Sequence, residues 1–356
     1  MAVEYRIVGD MPTLERIVDL EIAVWGLHAR DAVPANILHA LAENGGVVIA
    51  AEAQEQIVGM CVGFPARRGR DLFLWSHMAG VHPAYQKQGI GYQLKQLQRQ
   101  WALENGYSQI RWTFDPLQRG NASFNIRKLG AISNIYHKDY YGEMLDSINA
   151  GLPSDRLEVI WNLRQKTHTP NSGEIVSDDP LPCFMILSDE GDLLRRHDVL
   201  SGQPPAVFVE IPADLAVLKR QSPQLALEWR LAVREAMQQA FQRGYHVADF
   251  TTIRDRWAYV LLAPIPWFLY VAECSDHSLY TGITTDIDRR IRQHNAGNGA
   301  AYTAARRPVK LLAGWRFPDQ SSALRAEAAF KSQSRSKKMR HVHSRDSFLG
   351  GERLNL

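Results

Sequence analysis

Apolar and polar positions alternate along the first part of the chain in a way that predicts strands and helices in succession. Between residues 4 and 163, the apolar runs GGVVIAAEA, QIVGMCVGFP and LFLWSHMAGV are separated by polar turns and predict β-strands. Between residues 88 and 106 apolar positions recur every three or four residues, which predicts an amphipathic helix directly after a strand. We therefore expect an α/β (α+β) domain with a mixed central sheet and flanking helices over residues 1–163.

A polar segment interrupts this pattern. Residues 164–182 (RQKTHTPNSGEIVSDDPLP) are rich in Pro, Gly and Ser and predict a linker. Residues 183–263 then contain the strand candidates PCFMILSD, AVFVEIP and WAYVLL, and an amphipathic helix over 223–243. This middle α/β segment either stands alone or completes the sheet of the first domain.

The pattern starts again after the proline-rich break at 264–266. The runs WFLYVAEC and HSLYTGIT are joined by a short Ser-Asp turn and predict a β-hairpin. The helix DIDRRIRQHN follows with Asp286 as N-cap, then the strand VKLLAGWRF and the helix SSALRAEAAFKSQ with Ser321 or Ser322 as N-cap. We expect a small C-terminal domain over 264–356 with a three-stranded antiparallel sheet and helices.

The composition is that of a globular protein. Of 356 residues, 45% are hydrophobic and 22% are charged, which excludes a disordered or collagen-like chain. No apolar run approaches the roughly 18 residues of a membrane span, and acidic residues occur early, so we expect a cytoplasmic protein without a membrane partner. The three cysteines are isolated and lack zinc-site spacing, which predicts reduced structural thiols.

Charge is distributed unevenly between the two ends of the chain. Residues 264–356 contain 15 basic and 8 acidic side chains, a net charge of +7, and residues 1–263 have a net charge of −4. A basic module favours a polyanionic partner, most simply nucleic acid.

One candidate binding loop lies between a predicted strand and the helix that follows it. Glycines there let the backbone approach a ligand closely, and the free N–H groups of a first helical turn attract anions. The sequence thus predicts a pyrophosphate site formed by Gln86, Lys87, Gln88, Gly89, Ile90 and Gly91.

This Q-x-x-G-x-G loop, with Asn121-Ala122 and the later Lys128-Leu129-Gly130, resembles the GNAT N-acetyltransferase superfamily over about residues 4–163. The resemblance implies that the loop binds the pyrophosphate of acetyl-CoA and that Asn121 also contacts this cofactor. It further implies transfer of the acetyl group to an acceptor that the sequence does not identify.

The acid of this family is missing at its usual position. Many members have a tyrosine that protonates the leaving thiolate, and that position is Ile126 here. Tyr136, Tyr140 or Tyr141 could replace it, or the acid could be absent. His77 is a candidate base for the acceptor amine, although a lone strand histidine is more often a core residue.

A second set of polar residues occupies the C-terminal domain. Tyr270 and Tyr280 can share one face of the predicted hairpin, and the next helix brings Arg290 and His294 over it, four residues apart. Phosphodiester hydrolysis needs an activated water, a cation and a carboxylate-held metal. Tyr280, Arg290 and Glu327 supply these three residue types.

The segments FLYVAECSDHSLYTGITTDIDRRIRQHN and GAAYTAARRPVKLL resemble the GIY-YIG nuclease superfamily over about residues 265–345, with LYV and YTG in place of the signature tripeptides. The resemblance implies that Tyr280 is the general base, Arg290 stabilises the phosphate and Glu327 binds divalent Mg²⁺ or Mn²⁺. It also implies that Tyr270 and His294 assist in catalysis.

Together these observations predict a metal-dependent endonuclease acting on nucleic acid, most simply DNA, fused to an acetyl-CoA-binding GNAT-like domain. The basic stretch KSQSRSKKMRHVHSR, with Arg306, Arg307 and Lys310, is a candidate phosphate-contacting surface. Two alternatives stay open: an N-acetyltransferase whose tail only binds nucleic acid, and a non-catalytic DNA-associated scaffold.

Overall fold

The computed structural model describes residues 2–144, 150–164, 183–187, 193–253 and 256–354. It divides into two compact units, unit 1 (Met1–Ala263) and unit 2 (Pro264–Leu356). Nearly all of the predicted linker, residues 165–182, lies outside the described residues.

Unit 1 combines one long sheet with helices on both faces. Its strands are β1 (Glu4–Ile7), β2 (Val47–Ala53), β3 (Gln56–Arg68), β4 (Asp71–Val81), β5 (Gln109–Phe114), β6 (Ile132–His137), β7 (Arg156–Asn162), β8 (Met185–Leu187), β9 (Leu193–Arg195), β10 (Ala206–Glu210), β11 (His246–Ile253) and β12 (Arg256–Leu262). Its helices are α1 (Met11–Trp25), α2 (Ala35–Glu43), α3 (Ile90–Glu104), α4 (Arg119–Ala122), α5 (Leu215–Gln221) and α6 (Pro223–Gln242).

The ten-stranded sheet has the order β1-β2-β3-β4-β5-β7-β6-β11-β12-β10. Neighbours are antiparallel except β4 and β5, which are parallel. The middle segment therefore extends the sheet of the first domain: β11 continues beyond β6 through the pair Val247–Ser133, and β12 and β10 follow. Strands β8 and β9 form a separate two-stranded sheet.

Apolar residues on both faces of the sheet explain why its central strands read as nearly continuous apolar runs. On one face Leu14 and Ile17 of α1 and Leu38 of α2 pack against β2 and β3. On the other face Leu94 of α3 and Val233 of α6 belong to the larger core cluster.

Two ion pairs, one buried and one partly buried, attach α6 to the middle of this sheet. Arg230 donates to both carboxylate oxygens of Asp115 at 2.8 and 2.7 Å, and Arg234 binds both oxygens of Asp155 at 2.7 Å. The arginines are one helical turn apart, Asp115 directly follows β5 and Asp155 directly precedes β7. Since β5 and β7 are antiparallel, both aspartates lie at the same edge of the sheet.

Unit 2 has strands β13 (Trp267–Glu273), β14 (Leu279–Thr284), β15 (Lys310–Phe317) and β16 (Glu352–Arg353), and helices α7 (Ile287–Asn295), α8 (Ala301–Ala304), α9 (Gln320–Lys331) and α10 (Arg335–His343). The sheet is antiparallel in the order β14-β13-β15-β16.

Local signals in unit 2 were mostly predictive. Asp286 caps α7 by accepting from the Arg289 amide at 2.9 Å, as expected. The N-cap expected for α9 was wrong: Asp319, not Ser321 or Ser322, caps this helix by accepting from the Ser322 amide. The two-residue strand β16 adds a fourth strand to the three that were expected. Every helix among the described residues is too short or too polar to cross a bilayer.

Breaking one buried pair should destabilise unit 1 strongly. Arg230→Met leaves the Asp115 carboxylate buried without its cation, which should lower the free energy of unfolding by about 3–5 kcal/mol. Arg195→Met, which removes a solvent-exposed pair with Glu235, is the matched control and should cost less than about 1 kcal/mol. Calorimetry of the full chain measures the free energy of unfolding of both variants. Equal destabilisation by Arg230→Met and Arg195→Met would contradict a structural role for the Arg230–Asp115 pair.

Candidate functional site

Tyr270 and Tyr280 lie on one face of the unit 2 sheet. Tyr270 is paired with Gly282, and Ala272 with Tyr280, so the two tyrosines are diagonal neighbours. Their ring centroids are 6.1 Å apart. Tyr270 is fully buried, whereas Tyr280 is half-buried. Tyr280 is therefore the tyrosine that is open to a ligand.

His294 links Tyr270 to α8 through a chain of hydrogen bonds. The Thr303 hydroxyl donates to the Ala300 carbonyl at 2.9 Å, and its oxygen lies 2.6 Å from Nδ1 of His294. Because a hydroxyl has one proton, the network assigns the ring hydrogen to Nδ1, which donates to Thr303. Nε2 of His294 then accepts from the Tyr270 hydroxyl at 2.7 Å.

The shifted pKa values of His294 and Tyr270 favour the same direction of the hydrogen bond between them. Burial lowers the pKa of His294, and the charge of Arg290 lowers it further. Burial also raises the pKa of Tyr270, and this effect outweighs the lowering by Arg290. Both groups are therefore neutral near pH 7, and Tyr270 acts as a hydrogen-bond donor rather than as a base.

Two glycines make room for the hydrogen-bonded side chains of Tyr270 and His294. A Cβ at Gly282 would lie 2.8 Å from the Tyr270 hydroxyl oxygen, and a Cβ at Gly299 would collide with the ring of His294. The glycine of the YTG tripeptide thus accommodates a neighbouring side chain of the protein itself.

Arg290 supplies the positive charge of this site. Hydrogen bonding to the Tyr270 hydroxyl is the main cause of its raised pKa, and Gln293 accepts from its guanidinium at 3.2 Å. No described carboxylate pairs with it, so it can bind an anion. Arg292 on the same helix is exposed.

Three further residues surround Tyr280 and His294; Tyr302 and Thr303 were not expected there from the sequence, and Arg306 was expected only as a phosphate-contacting residue. Tyr302 stacks on Tyr280 with ring centroids 6.1 Å apart, and the Arg306 guanidinium lies 4.2 Å from the Tyr302 ring centroid. Thr303 orients His294. The run AYTAARRP contains all three, but without the fold nothing in it indicates that they face the hairpin.

Glu327 comes from the other side of the sheet. Helix α9 packs through Ala323, Ala326 and Phe330 against the face opposite to that of Tyr270. Glu327 is half-buried and binds Lys331 at 2.8 Å. Among the described residues no hydrogen bond or ion pair joins it to the tyrosine cluster, and no group of three or more His, Cys, Asp or Glu is suited to a metal. A lone carboxylate fits a Mg²⁺ that takes its other ligands from water and phosphate.

In unit 1 the glycine-rich loop opens the N-terminus of α3. Lys87 and Gly89 have left-handed backbones with φ of 63° and 84°, so a side chain at position 89 would be strained. Ile90 and Gly91 form the first helical turn, whose N–H groups have no partner within the helix. This geometry fits a pyrophosphate.

Two glutamines of the loop bind the main chain that precedes it. The side-chain amide of Gln86 donates to the Val81 carbonyl at 3.2 Å, and that of Gln88 donates to the Ala84 carbonyl at 3.4 Å. Asn121 is exposed on the one-turn helix α4. The positions of these side chains leave the loop backbone as the main candidate for anion binding.

A gap opens in the sheet beside this loop. Strands β4 and β5 pair only at Leu74 with Ile110 and at Trp75 with Arg111. Beyond these pairs β4 contains a bulge at His77, which is exposed, and continues toward the loop. The gap can receive the extended arm of a nucleotide cofactor.

The candidates for the acid that protonates the thiolate differ in burial, and the usual position of this acid is apolar. Ile126 is buried in the core. The Tyr136 hydroxyl donates to Asp155 at 2.7 Å, and burial with this carboxylate raises its pKa well above the usual value. Tyr140 and Tyr141 are exposed and stack edge to face.

Two family models match the chain. The GIY-YIG catalytic domain matches residues 266–340, and the acetyltransferase (GNAT) family matches residues 14–130. Both resemblances inferred from the sequence are thereby confirmed. The two domains indicate that the protein is an enzyme.

Solved structures similar to part of the chain include two acetyltransferases. The ribosomal-protein-S18-alanine N-acetyltransferase from Escherichia coli is 10% identical, with a TM-score of 0.38 over 46% of this chain and 96% of that chain. The IAA acetyltransferase from Bacillus cereus is 14% identical, with a TM-score of 0.35 over 45% of this chain and 99% of that chain.

Curated relatives match the C-terminal region. A UPF0213 protein of Streptococcus agalactiae is 51% identical over 22% of this chain and 89% of its own length. A UPF0213 protein of Haloquadratum walsbyi is 54% identical over 20% of this chain and 80% of its own length. Through unit 2 the chain therefore belongs to the UPF0213 proteins of the GIY-YIG family, and unit 1 carries a GNAT acetyltransferase domain.

Proposed function

We propose that unit 2 is a divalent-metal-dependent endonuclease that hydrolyses phosphodiester bonds in DNA. The observation that carries this proposal is the pairing of an accessible tyrosine with a cation that has no described carboxylate partner. Tyr280 is half-buried beside the locked Tyr270–His294 pair, and Arg290 lies against the Tyr270 hydroxyl. Such a site can deprotonate water and stabilise charge on a phosphate.

Each residue has a distinct role in this mechanism. Tyr280 acts as the base: its hydroxyl proton first leaves to solvent, and its phenolate oxygen then accepts the proton of the attacking water. Arg290 stabilises the negative charge that develops on the phosphate. Tyr270, held by His294, positions the Arg290 guanidinium. Glu327 would hold the metal ion, which supplies Lewis-acid stabilisation of the phosphate when bound.

The surface of unit 2 supports a nucleic-acid substrate. Its net charge is +7, and Arg335, Lys337 and Arg340 of α10 are exposed. Exposed arginines and lysines bind phosphates without reading the sequence, which favours a long polyanion over a small phosphate ester.

For unit 1 we propose acetyl-CoA binding and transfer of the acetyl group to an amine. The left-handed loop at the start of α3 and the adjacent gap between β4 and β5 support this role. If unit 2 binds DNA but never cleaves it, the alternative of an acetyltransferase with a nucleic-acid-binding tail replaces the nuclease proposal.

Removing the Arg290 guanidinium or the Tyr280 hydroxyl should strongly reduce cleavage. In the full chain, Arg290→Ala and Tyr280→Phe should each reduce cleavage at least about 10²-fold, because each removes a group that acts on the transition state. The assay uses Mg²⁺ or Mn²⁺ with single-stranded, duplex and branched DNA. Arg292→Ala, an exposed cation on the same helix, is the control and should retain most activity.

The same assay tests the metal ligand. Glu327→Gln keeps the shape of the side chain and the basic surface, so DNA binding should persist while cleavage falls by a similar factor. Undiminished cleavage by this variant would remove Glu327 from the mechanism, and equal damage from Arg290→Ala and Arg292→Ala would refute the site.

Acid should destabilise unit 2 through His294. Its pKa in the folded protein is lowered, so below about pH 6.5 the unfolded chain binds a proton that the folded chain excludes. The stabilisation is complete above the unfolded pKa and is lost as pH falls through the folded pKa. In calorimetry, the unit 2 transition of the wild type should weaken more between pH 7.5 and pH 5.5 than that of His294→Gln, and parallel losses would contradict this.

Charge at the loop should control cofactor binding. Among the described residues, a Cβ at Gly91 would meet only Val81 within 4 Å, at 3.7 Å, so a side chain is tolerated there without a clash. Gly91→Glu should nevertheless weaken acetyl-CoA binding at least tenfold, because it places a carboxylate where the pyrophosphate binds. Gly91→Gln is the uncharged control. Calorimetric titration decides, and equal affinity for Gly91→Glu and wild type would place the cofactor elsewhere.

A further inference from the structure

Lys95 is a buried lysine in the core of unit 1. Its side chain on α3 is 2% exposed. Its Nζ donates to the Ser76 hydroxyl at 2.8 Å and to Oε1 of Gln98 at 3.1 Å, and it lies 3.9 Å from the centroid of the Trp112 ring. All of these partners are uncharged.

The charge of Lys95 has no counter-ion among the described residues. Burial lowers its pKa to about 8, and the only charge interaction that raises it comes from the Cys61 thiol. Within the described part of the chain, the amide Nε2 of the neighbouring Gln98 is also buried without a hydrogen-bond partner, on the side of Gly63. A buried ammonium without a counter-ion is costly unless an anion arrives beside it.

Lys95 stands at the point where β4 and β5 separate. The last paired residues are Trp75 and Arg111. Ser76 and Trp112 are the next residues along these strands, and Lys95 contacts both. The ammonium therefore lies at the closed end of the gap.

The length of the gap matches the cofactor arm. Ser76 is five residues before Val81, the end of β4, which is roughly 16 Å of strand at about 3.3 Å per residue. Coenzyme A has about twelve bonds between its pyrophosphate and its sulfur, as many as four residues of main chain, and so spans about 13–14 Å when extended. A pyrophosphate on the loop at Gly89 thus puts the sulfur near Lys95.

We propose that Lys95 stabilises and protonates the CoA thiolate that leaves during acetyl transfer. This inference rests on the proposed acetyl-CoA function of unit 1. The acceptor nitrogen bonds to the acetyl carbon, and the C–S bond breaks with its electron pair going to sulfur. The ammonium of Lys95 transfers a proton to that sulfur, which gives free CoA and leaves the Lys95 side chain as a neutral amine. The proton released by the acceptor nitrogen returns through solvent to Lys95.

Other candidate acids are less suited to this task. Ile126 has no proton to give, and the Tyr136 hydroxyl is already donated to Asp155. The Tyr141 hydroxyl lies 3.5 Å from the Thr113 hydroxyl, on the opposite face of β5 from Trp112. The Lys95 ammonium lies between Ser76 and Trp112, where the two strands separate, and an ammonium that ionises near the pKa of a thiol transfers a proton at little cost.

The test follows the thiol of bound CoA rather than turnover. Thiolate absorbance is titrated against pH for CoA saturating the full chain and for CoA alone. In the wild-type complex the thiol should ionise at least one pH unit lower than in free CoA, which is tenfold more thiolate at a given pH. Lys95→Met should remove this shift, and Lys138→Met, which removes an exposed lysine, should preserve it.

The outcomes separate the two proposals. If wild-type protein binds no CoA, both the cofactor proposal and the role of Lys95 fall. If CoA binds but its thiol ionises as in free CoA, only the role of Lys95 is overturned, and this result needs no variant that folds. An unchanged shift in a folded Lys95→Met would overturn it equally.

Discussion

The two arginine–aspartate pairs of α6, in which both aspartates are buried, constrain how unit 1 can be built. Arg230 and Arg234 each bind both oxygens of an aspartate, and these aspartates flank the adjoining ends of β5 and β7. Moving the helix would leave the two buried aspartates without their cations, so residues 183–263 cannot detach from the sheet cheaply. The Arg230–Asp115 pair holds α6 against the end of β5. From there the chain leads to α4, which carries Asn121, and to the helical segment Ser123–Lys128, which carries Ile126.

Each unit also contains a cation that has no anionic partner among the described residues. In unit 2 it is Arg290, oriented by Tyr270 and beside an accessible tyrosine. In unit 1 it is Lys95, held by Ser76 at the closed end of a gap. In both places hydrogen bonds donated by the cation to neutral groups fix its position without neutralising its charge, which is the arrangement expected where charge develops during a reaction.

Much of the fold was predictable from local pattern, and the failures have identifiable causes. The apolar runs predicted β2, β3 and β4, and the hairpin of β13 and β14 followed from two such runs and a turn. Strand β11 was missed because its sequence, HVADFTTI, is polar and interrupted by a bulge near Asp249. Pairing with β6 and β12 on either side stabilises it instead. The N-cap of α9 was misplaced because Asp319, Ser321 and Ser322 are all good capping residues.

The sequence by itself determined the residue types of both sites, and alternation within a strand was enough to put Tyr270 and Tyr280 on one face. Only the tertiary structure decided what those faces meet. It brought Thr303 to Nδ1 of His294, which selects the tautomer, and it buried Lys95 between two separating strands. Local periodicity orients a side chain within its own element, whereas burial, tautomer and counter-ions depend on distant segments that pack against it.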